Sequence, residues 1–136
     1  MRSGLLSYTK AFLKHLGIKR PTWETDPLGN SFGAGGLFLT LSELHKFGLF
    51  YLNKGKWNGK QILSEKWIEE STAASDTDNY GYLFWRGEYN SYRADGKYSQ
   101  ISMILPDKNA VISMVAECRN GEELMSALYD LVCAKL

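Results

Sequence analysis

In the first half of the chain, apolar residues recur three or four positions apart, a spacing that predicts amphipathic helices. One short helix is expected over residues 5–16, where Gly17 supplies a stop signal. A second helix begins at Thr40, which can form a capping box with Glu43, and it continues to a stop at Asn53. Its apolar positions keep to one face, so this helix should pack against a core.

The segments around these helices carry turn signals. Residues 19–36 contain too many glycines and prolines for a regular element, so a loop is expected there. Asn58-Gly59 suits a tight type I′ turn, and Ser64 can cap a third helix that runs to Ser71. The polar residues 73–79 then form a linking loop.

From Tyr80 onward the period of the pattern changes to that of strands. Four segments have the pattern of antiparallel strands, namely YGYLFWRGE, NSYRAD, QISMILP and NAVISMVAEC. Turn residues separate them at Gly87-Glu88, Asp95-Gly96 and Pro106-Asp107-Lys108. The run from Ala110 to Ala116 is apolar on both faces, so it should be covered on both sides.

Asn120 and Glu123 form a second capping box, and the last helix should bury a face made of leucines: Leu124, Leu128, Leu131 and Leu136. The fold class is therefore α+β: N-terminal helices and a Gly-rich loop, then a three- to four-stranded antiparallel sheet with a C-terminal helix packed on it.

Composition narrows the possible functions. The 136 residues suit one domain, and 16 Lys+Arg against 15 Asp+Glu leave a formal charge of +1 with no basic stripe, so nucleic acid and membrane are poor partners. Cys118 and Cys133 are interpreted as small core residues, with a disulfide as the less favoured alternative; no metal or cofactor is expected. The first twenty residues resemble neither a signal peptide nor a membrane span, which indicates a cytoplasmic chain.

Two short motifs match hydrolase chemistry. Ser7 and Lys10 satisfy S-x-x-K, the spacing at which a lysine can deprotonate a serine, but a surface helix is the favoured interpretation. Tyr51-Leu52-Asn53 satisfies Y-x-N, in which a tyrosine acts as base; here we favour packing for Tyr51 and a helix stop for Asn53.

Other candidates have simpler explanations. His15 and His45 lie on amphipathic helices without a nearby carboxylate, so a polar surface or a satisfied core is expected. The glycines of residues 33–36 lack the Lys-Ser/Thr of a phosphate loop, and close passage of the backbone is the better account. The pairs Glu69/Glu70 and Glu122/Glu123 are consecutive and diverge on their helices.

Three segments together resemble the C-terminal half of the serine beta-lactamase and penicillin-binding-protein-like hydrolase family, closest to its class C and esterase-like branch. They are the stretch LGI…GAGGLFLT…FGLFYLNKGKWNGKQILSE…W, then NYGYLFWRGEYNSYRADGKYSQ, and finally the apolar strand and helix at the end. The resemblance implies one partial domain over 1–136. Residues 1–79 would be the tail of a helical subdomain and residues 80–136 the second half of an α/β subdomain.

The resemblance also implies that the family's nucleophile and base precede this region, so neither Ser7/Lys10 nor Tyr51/Asn53 is the family motif. One pocket strand remains, where members usually carry Lys-Thr-Gly or His-x-Gly and this chain has Ala94-Asp95-Gly96. Arg93 or Lys97 would have to supply the missing cation. The remnant pocket strand implied by the resemblance comprises Arg93, Ala94, Asp95, Gly96, Tyr98 and Gln100, with an ordinary strand and turn at Ala94 to Gly96 as the equal alternative.

Two functional hypotheses follow. The chain is either the C-terminal portion of a beta-lactamase-related serine hydrolase for a small ester or amide, inactive alone, or an assembly module. In the second case the strand over 110–116 lacks a neighbour, and its open edge pairs with a second copy or with a separately encoded N-terminal half. An active hydrolase that uses Ser7 and Lys10 is the weakest alternative.

Overall fold

The computed structural model of the protein describes residues 12–19, 21–33, 35–76 and 78–136. Helix α1 is described over residues 12–15; most of the helix predicted over 5–16, with Ser7 and Lys10, lies outside the described residues. The other helices are α2 (Leu41–Leu52), α3 (Glu65–Thr72) and α4 (Gly121–Leu131). The strands are β1 (Thr22–Trp23), β2 (Leu37–Phe38), β3 (Lys56–Trp57), β4 (Lys60–Gln61), β5 (Trp85–Arg86), β6 (Tyr92–Gly96), β7 (Gln100–Leu105) and β8 (Ala110–Met114).

Helices α2, α3 and α4 begin where side chains can satisfy their first backbone N–H groups. The Thr40 hydroxyl accepts from the Glu43 backbone N–H at 3.3 Å, and the Glu43 carboxylate accepts from the Thr40 N–H at 2.9 Å. This confirms the predicted capping box of α2. Ser64 caps α3, and Asn120 caps α4 through the Glu123 N–H, although Glu123 binds the Asn120 side chain instead of its backbone.

Strands β5, β6, β7 and β8 form one antiparallel sheet in that order. Because side chains alternate along a strand, the two faces of the sheet carry different contacts. On β7, Ile104 packs with residues of α2 and the N-terminal segment, whereas Ile101 and Met103 pack with Met125 and Tyr129 of α4. The sheet is therefore enclosed by α2 on one face and α4 on the other, and the α+β fold class is confirmed.

An aromatic cluster joins α2 to the sheet. It consists of Phe47, Phe50, Tyr51, Phe84 and Tyr92, whose neighbouring rings lie 4.8 to 6.5 Å apart between centroids. Rings at these separations stabilise a core beyond the area they bury. The cluster connects residues on both sides of position 80, so one core spans the two predicted subdomain segments.

The glycine-rich loop approaches its neighbour closely at one described position. A Cβ on Gly36, whose φ is +80°, would lie 2.8 Å from the Glu24 Cβ, whereas Gly33 and Gly35 meet nothing within 4 Å. The Trp23 indole N–H donates to the carbonyls of Phe32 and Gly35, which holds the loop against β1. The expectation of close backbone passage is confirmed at Gly36.

Several predicted details are wrong. The strand expected over residues 80–88 reduces to Trp85–Arg86, and that expected over 110–116 ends at Met114. The buried stripe of α4 and the following turn is Met125, Tyr129 and Cys133, at the i, i+4, i+8 spacing that keeps residues on one face. Of the leucines predicted to be buried, Leu128 packs against this stripe, whereas Leu131 and Leu136 are exposed. The cysteines divide: Cys133 is a buried free thiol, as expected for a small core residue, whereas the free thiol of Cys118 is only partly buried.

Candidate functional site

Because side chains alternate along β6, the residues predicted to form the remnant pocket strand lie on two different faces of the sheet. Ala94 packs, with Tyr92, on the face covered by α2. Arg93 and Asp95 point to the opposite face, where they line a groove beside Met125 of α4. Arg93 therefore cannot place its charge beside Ala94, because one sheet separates the two side chains.

Arg93 and Asp95 form a salt bridge with an Nε–Oδ2 distance of 2.9 Å. The side chains are 16% and 25% exposed, so the pair is largely withdrawn from water. The charge-assisted hydrogen bond fixes the direction of both side chains along the groove wall. The pair is preorganised to orient a polar ligand, and its charges largely cancel.

The β6–β7 turn adopts an unusual backbone conformation. Tyr98 and Ser99 both have left-handed φ values, +63° and +69°, although neither is a glycine. Each such residue costs on the order of 1 kcal/mol relative to the ordinary helical or extended conformation. The turn is held by the Cys118 N–H, which donates to the Tyr98 carbonyl at 3.2 Å, and by the Gln100 side-chain amide, which donates to the Ala116 carbonyl.

This turn, together with the start of α4, encloses an open groove with two lobes. The outer lobe, of about 600 Å³, is lined by Lys97, Tyr98, Cys118 and Arg119, among others. The inner lobe, of about 450 Å³, is lined by Trp85, Arg93, Ile101, Glu122 and Met125, among others. Asp95, Ser99 and Gly121 line both lobes, so the two volumes are adjacent and share one wall.

The groove brings together Arg93, Asp95, Gly96 and Tyr98 from the predicted set. Gln100 supports the turn from outside the lining, and Ala94 lies on the other face. Sequence reasoning missed Ser99 and Arg119 because they come together only through the turn and the segment before α4. The one local signal was a tyrosine and a serine in a hairpin turn that favours glycine.

The groove offers charges and hydrogen-bonding groups without an activated nucleophile. Among its described lining residues, neither the Ser99 hydroxyl nor the Cys118 thiol makes a hydrogen bond to a lysine, histidine or tyrosine side chain; the thiol faces the Asn120 carbonyl. Within the described ranges, no three His, Cys, Asp or Glu side chains lie close enough to hold a metal ion. The arrangement suits binding better than acyl transfer.

The Y-x-N match does not form a base. Burial raises the pKa of the Tyr51 phenol, and the Tyr51 ring stacks in the aromatic cluster with 8% of the residue exposed. Burial, followed by the neighbouring Tyr51, raises the pKa of Tyr92 to about 12. A tyrosine that acts as a base needs the opposite shift, so the packing interpretation of Tyr51 is confirmed.

The two histidines behave differently. His15 is exposed, whereas His45 is partly buried in α2 and its Nδ1 lies 3.0 Å from the Ser113 hydroxyl of β8. This serine–histidine contact lies at the helix–sheet interface, away from the groove, and no described carboxylate hydrogen-bonds to the ring. It satisfies a partly buried imidazole, as expected for a histidine on an amphipathic helix.

None of the described helices is long and apolar enough to cross a membrane. No protein-family model and no curated protein matches the sequence. Among solved structures, the chain is similar to one titled "Putative 6-aminohexanoate-dimer hydrolase from Bacillus anthracis", with 24% identity and a TM-score of 0.68. The similarity covers 79% of this chain and 31% of that chain, so the protein spans about a third of its structural neighbour. The chain therefore has part of a beta-lactamase-like fold.

Proposed function

We propose that this chain is the C-terminal portion of a beta-lactamase-related serine hydrolase that acts on a small ester or amide, and that it has no acyl-transfer activity alone. The similarity to a hydrolase fold over 79% of the chain supports the relationship. The segments quoted above, from LGI to the final helix, support it independently. In the complete enzyme, β6 would form one wall of the substrate pocket.

The observation that carries the proposed inactivity is the chemistry of the described hydroxyl and thiol groups. Acyl transfer needs a nucleophile in contact with a base, and donors at the developing oxyanion. The groove provides Ser99 and Cys118 without a base, and Tyr51 has a raised pKa in the core. The described serine–histidine contact, Ser113 with His45, lacks a carboxylate that orients the ring.

Covalent labelling tests this proposal. The purified chain is incubated with a fluorophosphonate and, separately, with a fluorescent penicillin, and its intact mass is measured. Ser7→Ala and Ser113→Ala are the matched variants, because they remove the S-x-x-K serine and the serine that contacts His45. An unchanged mass supports the proposal. A covalent adduct that disappears in either variant would overturn it.

A second candidate function is assembly through β8. This strand is the last in the sheet, and among the described residues it pairs only with β7. Val111 packs on the α2 side, and Ala110, Ile112 and Met114 on the α4 side. An added strand would therefore extend a sheet whose two faces are already covered, and its backbone would pair with the open edge.

Light scattering over a range of protein concentrations tests the assembly. The expected result is a mass above that of the 15.4 kDa monomer, from a second copy at the β8 edge. Val115→Lys should reduce it, since Val115 directly follows β8, is 49% exposed, and a charge there opposes strand pairing. Leu131→Lys on the exposed face of α4 is the control. A monomer at all concentrations would exclude assembly with a second copy. Co-purification with a separately encoded N-terminal half would then test whether that half is the partner.

A further inference from the structure

A second concavity, of about 520 Å³, lies between the end of α1 and the β3–β4 hairpin. Its described lining consists of Lys14, His15, Trp57, Asn58, Lys60 and Ile62. The volume is within the usual range for small-molecule sites. This concavity is separate from the groove beside β6, with which it shares no lining residue.

The polar lining of the concavity is basic. It contains two lysines and a histidine, and no carboxylate is present among its described lining residues. Lys54 and Lys56, in contrast, both lie near the single Glu65 carboxylate, at 3.7 and 3.5 Å, which offsets part of their charge. Lys14 and Lys60 form no salt bridge with any described residue. Two exposed lysines without a carboxylate partner therefore give this concavity a positive charge that can attract an anion.

The apolar wall of the concavity is held rigidly. Trp57 and Ile62 are partly buried and pack against the main core. Trp57 is directly opposite Lys60 in the hairpin, so the indole and the ammonium group are cross-strand neighbours. Asn58 and Gly59, with φ values of +48° and +77°, form the tight turn that fixes this pairing.

We propose that this concavity binds a small organic anion with a flat apolar body. Lys14 and Lys60, with His15 as a hydrogen-bonding neighbour, hold a carboxylate or phosphate ester group. The flat body contacts the face of the Trp57 indole and Ile62. Neither half of the site suffices, because exposed lysines bind simple anions weakly and an aromatic ring alone gives no preference for charge.

The test uses the full chain and four probes, with binding followed by the Trp57 indole resonance and by calorimetry. The probes 1-naphthoate and 1-naphthyl phosphate carry both features, 1-naphthol only the rings and inorganic phosphate only the charge. Either 1-naphthoate or 1-naphthyl phosphate should bind about tenfold more tightly than both 1-naphthol and inorganic phosphate. The tighter of the two identifies the anion as a carboxylate or a phosphate ester.

Two charge-reversal variants locate the binding. Lys60→Glu should weaken the tighter probe by about fivefold to tenfold, whereas Lys97→Glu, with the same net charge but in the β6 groove, should change it less than about twofold. Trp57→Leu, checked for an unchanged melting curve, should remove the preference for naphthyl over simple anions. Equal effects of Lys60→Glu and Lys97→Glu, or no preference for the naphthyl anions, would overturn the proposal.

Discussion

Replacing Gly48 with alanine should destabilise the protein, although the same change stabilises most helices. Gly48 is buried in α2 at the point where the helix crosses the sheet. A Cβ there would lie 2.5 Å from Val111 Cγ1 and 2.7 Å from the Ser102 hydroxyl oxygen. Apolar atoms prefer separations of about 3.5–4.0 Å, so α2 and β7–β8 must move apart by roughly 1 Å.

The magnitude follows from two opposing terms. Inserting a methyl group into a packed interface costs about 1–3 kcal/mol. Alanine recovers about 0.5–1 kcal/mol relative to glycine in a helix interior. The expected net loss in the free energy of unfolding is therefore about 1 kcal/mol, within limits of about 0 and 2.5 kcal/mol, and a loss of about 1 kcal/mol lowers the melting temperature of a chain of this size by roughly 3–5 °C.

The assay is urea and thermal unfolding followed by circular dichroism, with Gly121→Ala as the matched control. Gly121 begins α4, and its added Cβ would meet only the Ser99 hydroxyl, at 3.7 Å, an ordinary contact. The control should be neutral or slightly stabilising. A Gly48→Ala protein as stable as the control would refute the close helix–sheet contact.

Three further predictions concern the same core and its edges. Ser102→Ala should stabilise the fold by about 1 kcal/mol, because the Ser102 hydroxyl is fully buried and has no described hydrogen-bond partner. The same substitution should lessen the penalty of Gly48→Ala in a double-mutant cycle. Thr40→Ala should lower the free energy of unfolding by about 1 kcal/mol through loss of the α2 cap. Hydrogen bonds from Thr40 lower the pKa of Glu43 from 4.5, so wild-type stability should decline as pH falls below that value. The variant should show a smaller decline in acid unfolding curves. At the alkaline end, Tyr92 has a pKa raised from 10.0 to about 12, so the folded state should lose stability as pH rises through that interval, and Tyr92→Phe should reduce the loss measured by chemical denaturation.

Local sequence signals predicted the parts of the fold that depend on a few neighbouring residues. Thr40 and Glu43 lie in one turn, and Asn58-Gly59 determines its own hairpin, so both could be identified without tertiary information. The buried face of α4 could not be identified in this way. Its leucines predicted one buried stripe, whereas the residues that pack against Ile101 and Met103 of β7 are Met125 and Tyr129.

The candidate site was predictable only in part for the same reason. Arg93 and Asp95 were named from the sequence, and alternation along β6 sends both to one face. The opposite wall comes from Gly121 and Glu122, more than twenty positions later, and the left-handed turn at Tyr98 and Ser99 contradicts the preferences of those residues. Long-range contacts compensate for this local strain, and no local pattern reveals them.

The aromatic cluster determines how the chain must fold. The Tyr92 hydroxyl donates to the Tyr51 carbonyl across 41 positions of sequence, and Phe47 stacks on Phe84. Part of the buried surface of α2 is therefore covered only when the residues beyond position 80 are in place, so the two segments should unfold in a single transition. A protease that cuts the loop at 73–79 would leave two pieces that stay associated, and neither piece would keep its structure after separation. We therefore expect that the subdomain boundary implied by the resemblance does not separate two independently unfolding units.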